Sequence, residues 1–409
     1  MKELRAPGFL DRVVSAWPLL AGVIFSFLGC CLVGRLLSAR NPYKWFTRFH
    51  RYVHPETHIY PTASQVRALA RARLDPKKVA VIVGGNSILH GVGQRVEHVW
   101  TRRLQELLGD DYCVLNLAVF SAEPAEFGAV IAEALDGEYR KMIFITAFGS
   151  GKGVGTPDGT LYRYFYYDAL YKGMLPSDEQ RDRRVAALNE ERVKTEGEKS
   201  FELRRGCRLD SALYFQDLWT TCSLKWFNTT WSPFLVAGVT SPHLVYADTG
   251  GPLEVSHPPS ERERARRLVR GFADSLGGEV FGPALPPSGQ RKGLRPNPGK
   301  SPLVHDFETS FPARTRPRTL ILVTHDSPFY VNELEPVARA EYRWAVAKAA
   351  EVLEAAGFGT LDVGGDFAVR DFDDQLHLSE SGGRKLADQV APKVRAMAHR
   401  LGYLGHKEE

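Results

Sequence analysis

A serine hydroxyl becomes a nucleophile when a base takes its proton, and a histidine works as that base when a third group holds its tautomer. The chain offers residues for each part. Ser87 follows Val79-Ala80-Val81-Ile82-Val83-Gly84-Gly85-Asn86, and in Asp374-Gln375-Leu376-His377-Leu378-Ser379 a carboxylate precedes a histidine by three residues. In a loop, or in the first turn of a helix, that spacing lets Asp374 accept from Nδ1–H of His377. Nε2 is then left for Ser87. The chemistry would be nucleophilic attack on an acyl group, with N–H groups near Ser87 holding the oxyanion. Plainer roles stay open. Ser87 would serve equally as a helix cap, and Asp374 and His377 as a solvated acidic loop opening the last helix.

The surrounding elements have to bring these residues together. Val79–Val83 is a run of five apolar, mostly β-branched residues, which predicts a strand buried on both faces. Gly84 and Gly85 then allow a sharp turn. The spacing of Val96, Val99, Trp100, Leu104, Leu107 and Leu108 predicts a helix after the serine. Further strands are expected at 112–117, 141–148, 319–324 and, briefly, 361–363. Helices are expected from Pro124 to about Leu135, from about Leu334 to Ala356, and from about Ser381 to His399. This alternation predicts an α/β fold with a doubly wound, mostly parallel sheet flanked by helices. Ser87 and the Asp374–His377 pair would then lie near one carboxyl edge of the sheet, where such folds bind ligands. Gly149-Ser150-Gly151-Lys152-Gly153 lacks the continuation of a phosphate loop or dinucleotide motif.

Between about 156 and 317 the alternation stops, and this stretch reads as a large insertion or cap, mainly helical and irregular. Tyr162–Tyr167 is aromatic and would suit a sugar or acyl groove, or simply core. Asp178–Glu202 reads as a solvated helix, and Leu209–Leu235, with three tryptophans, as a packed one. Asn228-Thr229-Thr230 is a glycosylation sequon, meaningful only in a eukaryotic secretory host. Phe281–Pro317, rich in Pro and Gly, is expected to be a long loop.

Residues 13–34 carry no charge and are long enough to cross a bilayer, so 1–37 is expected to be a membrane anchor. Residues 38–77 follow as a basic, aromatic juxtamembrane segment with a short helix opened by Thr62-x-x-Gln65 and closed at Asp75-Pro76. His50, His54 and His58 have helical metal-ligand spacing, but Pro55 interrupts it and no metal site is expected. Residues 78–404 would form the main domain. The 409 residues carry 53 basic and 48 acidic side chains, a net charge of +5, which makes no case for nucleic acid. Five cysteines without a CxxC pair suggest no disulfide framework.

Gly85-Asn86-Ser87 together with Asp374-Gln375-Leu376-His377-Leu378-Ser379 resembles the first and last blocks of the SGNH (GDSL-type) serine hydrolases. Asn86 stands where the family usually has aspartate. Asn116-Leu117-Ala118-Val119-Phe120-Ser121 is similar to the second block, with Ala118 and Ser121 in the glycine positions. The third block falls at Gly149-Ser150-Gly151, where Gly151 replaces the family's asparagine. The resemblance covers about 78–150 and 318–400. It implies a three-layer, flavodoxin-like fold, catalysis by Ser87, His377 and Asp374, and an oxyanion hole built on the Ser87 and Ser121 N–H groups. It implies no metal and no organic cofactor. The missing asparagine donor, whose loss typically costs about 2.7–4 kcal/mol of transition-state stabilisation, is replaced by Ser150 or a backbone N–H such as that of Gly151, or the enzyme is slow, or hydrolysis is not the function.

Three functions follow as expectations: a membrane-anchored esterase or deacylase, an O-acyltransferase paired with a membrane-bound O-acyltransferase on a cell-envelope glycan, and a non-catalytic carbohydrate-binding scaffold. The resemblance implies a domain outside the cytoplasm. The flanking charges lean the other way, since Lys2, Arg5 and Arg12 precede the span while Arg35, Arg40, Lys44, Arg48 and Arg51 follow it.

Overall fold

The computed structural model describes residues 17–26, 63–94, 98–119, 122–149, 153–155, 165–166, 169, 173–175, 259–282 and 294–404. Five strands form one parallel sheet: β1 (Val79–Val83), β2 (Tyr112–Asn116), β3 (Met142–Phe148), β4 (Thr319–Thr324) and β5 (Gly359–Val363). Their spatial order is β2-β1-β3-β4-β5. Val81 pairs with Val114 on one side and Ile143 on the other, and Thr324 pairs with Val363. Every residue of β1, β3 and β4 is buried, whereas the edge strands β2 and β5 are partly exposed at Cys113 and Val114 and at Leu361 and Asp362. That burial is why the three central strands read as nearly continuous apolar runs, with threonine the one polar residue type in them.

The helices are α1 (Ala63–Arg73), α2 (Ser87–His90), α3 (Trp100–Leu108), α4 (Val130–Asp136, entered through a π-helical turn at Pro124–Ala129), α5 (Pro259–Phe281), α6 (Pro302–Ser310), α7 (Pro328–Val331), α8 (Pro336–Ala355) and α9 (Glu380–Arg400). α3 and α9 pack together, as do α5 and α8. On one face of β3, Phe144 meets Phe311, and Phe148 meets Phe272 and Phe307, with ring centroids 6.0–6.3 Å apart.

Two expectations are corrected. The helix expected after the serine is present as α3 but starts at Trp100 rather than near Val96, and a separate short helix, α2, carries Ser87. α2 ends at Gly91, whose φ of 87° is left-handed and whose N–H closes onto Ser87 and Ile88 carbonyls. α3 is a separate helix that begins at Trp100, and the apolar spacing from Val99 onward belongs to it. Second, Phe281–Pro317 is not one long loop, because it contains α6. Ser301 caps that helix through Val304 N–H and Pro302 occupies its first turn, while Leu303, Val304 and Phe307 are buried. Proline there starts a helix, as its fixed φ allows.

Residues 17–26 are helical, and Trp17, Leu19, Val23 and Phe25 are exposed. Among the described residues no helix is long and apolar enough to cross a membrane; the rest of 13–34 lies outside them. Also outside are Thr62, the histidines at 50, 54 and 58, Asp178–Glu202, Leu209–Leu235 and the sequon. Of the aromatic run, Phe165 and Tyr166 are buried, Phe165 lying 4.8 Å from Phe127. Those two residues are core.

Candidate active site

The sheet order reverses direction between β1 and β3, and ligands of open α/β sheets bind at such a switch point, beyond the carboxyl ends of the strands. The turn after β1 carries Ser87. Gly85 has φ of 120°, and a side chain there would come within 3.0 Å of Thr146 Oγ1. Glycine satisfies both demands. Gly85 carbonyl also accepts from Val119 N–H (2.9 Å), which ties the turn to the strand-end loop 117–119.

Asn86 caps α2, its Oδ1 accepting from Ile88 and Leu89 N–H at 3.1 and 3.5 Å. Ser87 is therefore not the cap. Its hydroxyl is released from that role because the preceding side chain performs it. Asn86→Ala is expected to cost about 1 kcal/mol in urea unfolding, whereas Asn86→Asp, which keeps the acceptor, is expected to be near neutral. Equal losses in the two would show that the cap contributes nothing.

The second part comes from a small hairpin between β5 and α9. Phe372 and Leu378 form an antiparallel bridge, and Asp373 N–H donates to His377 carbonyl at 2.8 Å. Both apolar flanks are buried, which anchors the hairpin and leaves its tip, 374–377, turned toward the serine. Ser327, just beyond β4, donates its N–H to Gln375 carbonyl (2.7 Å) and holds the tip from the side.

The structure brings the three residues into one chain. His377 Nε2 lies 2.7 Å from Ser87 Oγ, and His377 Nδ1 lies 2.6 Å from Asp374 Oδ2. Asp374 Oδ1 accepts from Leu376 and His377 N–H at 2.8 and 2.7 Å. Side-chain exposure is 18% for His377 and 23% for Asp374, so both remain reachable.

The electrostatics suit a base. Burial would raise the Asp374 pKa, but the imidazolium charge, its hydrogen bond and two backbone N–H groups together bring it down to about 2. Burial would lower His377, yet the Asp374 charge and hydrogen bond, with Asp373 adding to them, raise it above the usual imidazole value. A base must be neutral to accept a proton, so any Ser87-dependent rate is expected to climb with pH through an inflection above that usual value. Asp373→Asn should move the inflection downward. An inflection unmoved by that change would exclude Asp373 as a contributor.

Asn116, part of the second-block pattern, is buried. Its amide donates to Leu89 carbonyl (2.9 Å) and accepts from Ala118 N–H (3.1 Å). His90 Nδ1 lies 2.7 Å from Ala118 carbonyl and must carry its proton there. Together they fix the loop leading to Ser121. Ser121, Ser150 and Gly151 themselves lie outside the described residues. Sequence reasoning passed over Asp373, Ser327 and His90. The acidic run Asp371–Asp374 and the polar cluster after β4 were the available signals. Among the described residues, no group of three or more His, Cys, Asp or Glu side chains could hold a metal. Comparisons with protein-family models, curated proteins and solved structures find no match to this chain.

Proposed function

We propose that this chain is a membrane-anchored, SGNH-type serine esterase or deacylase that acts on an O-acyl ester through an acyl-enzyme on Ser87. The observation that carries the reading is the chain of hydrogen bonds from Asp374 through His377 to Ser87 Oγ. Its three members come from two segments almost three hundred residues apart in sequence.

In the proposed reaction Ser87 Oγ attacks the ester carbonyl while His377 Nε2 takes the hydroxyl proton. Asp374, ionised throughout, holds the Nδ1–H tautomer and stabilises the imidazolium. The carbonyl oxygen becomes an oxyanion held by backbone N–H groups, for which Ser87 and Ser121 are the candidates. Collapse expels the alcohol, which takes the proton from His377 and leaves the acyl group on Ser87. Water, deprotonated by His377, then attacks the acyl-enzyme. The acid leaves and the Ser87 hydroxyl is restored. The chemistry up to the acyl-enzyme is common to hydrolysis and transfer.

Exposed apolar side chains on helix 17–26 support attachment to a membrane. They fit equally a second reading in which a glycan hydroxyl replaces water as acceptor, beside a membrane-bound O-acyltransferase. The test is intact-mass labelling of the full chain in detergent with a fluorophosphonate, beside Ser87→Ala and His377→Ala. One adduct is expected, absent in the first variant and greatly slowed in the second. Offering acylated glycans with and without acceptor then divides hydrolysis from transfer. A folded protein that takes up no label would sink both readings and leave the carbohydrate-binding scaffold.

A further inference from the structure

Gln94 is fully buried, four residues beyond α2, and belongs to none of the sequence blocks discussed above. Both ends of its amide are used. Nε2 donates to Leu378 carbonyl at 3.2 Å, and Oε1 accepts from Trp100 N–H at 2.8 Å. Leu378 directly follows His377. On the other side, Trp100 Nε1 and Asn116 Nδ2 both donate to Leu89 carbonyl, at 2.8 and 2.9 Å, two residues beyond Ser87. An unbroken set of bonds thus runs from the serine helix through Trp100 and Gln94 to the residue beside His377.

Two glycines are shaped around this contact. A side chain at Gly383, on the first turn of α9, would come within 2.5–2.9 Å of the Gln94 amide. Gly93 has φ of 85°, and a side chain there would meet Leu378 carbonyl at 2.8 Å and Asp373 Cβ at 3.0 Å. The segment entering Gln94 therefore lies directly on the histidine hairpin.

We propose that Gln94 is a positioning residue that sets the spacing between Ser87 Oγ and His377 Nε2, by tying the serine helix to the histidine hairpin. The inference rests on the serine-enzyme reading and assigns Gln94 no contact with substrate. A neutral amide is required because one end must donate to a carbonyl while the other accepts from an N–H. A methionine fits the volume and does neither. A glutamate keeps the acceptor and, when ionised, loses the donor.

The experiment compares wild type, Gln94→Met, Gln94→Glu and Val390→Ala, all as full chains. Val390, buried on α9, serves as a variant that loses stability without touching the site. At saturating fluorophosphonate, Gln94→Met is expected to label about a hundredfold more slowly, the loss that a misplacement of about 1 Å produces. The half-saturating probe concentration should stay the same, and Val390→Ala with a similar fall in Tm should label at the wild-type rate. Gln94→Glu should be slowed in the same direction and stands in if Gln94→Met does not fold. Labelling of the Gln94 variants that merely matches Val390→Ala would overturn the proposal.

A wild type that takes no label would sink the enzyme reading instead, and the strut is then read by nitrogen NMR of His377. Ser87→Ala should move the Nε2 resonance in the wild-type background and leave it unmoved beside Gln94→Met. Equal movement in both backgrounds would sink the strut independently of any activity.

Discussion

Asp374→Asn is expected to slow Ser87 acylation about ten-thousandfold, although the change is nearly isosteric. The reason lies in how the carboxylate is held. Oδ1 accepts from the N–H groups of Leu376 and His377, so only an acceptor can occupy that position. An asparagine would keep its carbonyl oxygen there and turn its NH2 toward His377 Nδ1. A donor facing Nδ1 forces that nitrogen to be the acceptor, and the ring proton moves to Nε2. Nε2, 2.7 Å from Ser87 Oγ, would then be unable to take the serine proton. The hairpin itself should survive, since its backbone bonds do not depend on the replaced oxygen. The check is the fluorophosphonate labelling rate between pH 6 and 9, beside a melting curve. A loss smaller than tenfold with an unchanged Tm would show that Asp374 does not hold the tautomer.

The second large effect concerns stability. Asp371, just before the hairpin, is buried, yet its carboxylate is fully engaged. It accepts from Ala368 N–H and Ser381 Oγ, both at 2.8 Å, and pairs with Lys385. Its backbone carbonyl also accepts from Ser379 N–H (3.0 Å), at the cap of α9. Asp371→Ala would remove the acceptor of the Ala368 N–H and leave the Lys385 charge unpaired, while the Ser381 hydroxyl would keep its bonds to Ser379 Oγ and the Arg370 carbonyl. Lys385 is 42% exposed and can rehydrate, so the cost is that of the hydrogen bonds lost to a charged acceptor, about 2 kcal/mol.

The acid dependence has a definite sign. Burial would raise the Asp371 pKa, but the hydrogen bond from Lys385 and those from Ala368 and Ser381 outweigh it and hold the folded value below the usual one. Its stabilisation is therefore present above the unfolded pKa and is lost as pH falls through the folded one. Asp374 behaves in the same direction, its contribution fading as pH drops toward about 2. Urea unfolding at pH 7 and pH 3 should show the gap between wild type and Asp371→Ala narrowing in acid. A gap that stays constant would mean that the carboxylate charge contributes nothing.

The strands and the last helix were legible in the chain because the features that specify them are local. A buried parallel strand is a continuous apolar run, as in Val79–Val83 and Leu320–Val323. Asp374 and His377 were legible as a pair for the same reason, since three residues of one hairpin tip fix their separation. Their convergence on Ser87 was expected from the alternation of elements, which places both at one sheet edge, and the distances in the fold agree with that expectation.

Tertiary structure decided the rest. The break after α2 depends on a left-handed Gly91 closing back onto Ser87 and Ile88 carbonyls, which apolar spacing cannot register. α6 was hidden because proline counts as a loop signal until its place in a first turn is known, and that helix is held by Phe307 and Phe311 against β3 and β5-side rings. Gln94 carries no local pattern at all, and the polar residues around Ser327 and Asp371 do not by themselves name a partner. Gln94 reaches a carbonyl 284 residues away, and Ser327 one on the hairpin tip, so their roles exist only once the chain is folded. The sequence by itself determined which residues could do the chemistry, because nucleophile, base and orienter are properties of side-chain type and short spacing. Only the tertiary structure decided what holds them at bonding distance, because that work is done by contacts between segments far apart along the chain.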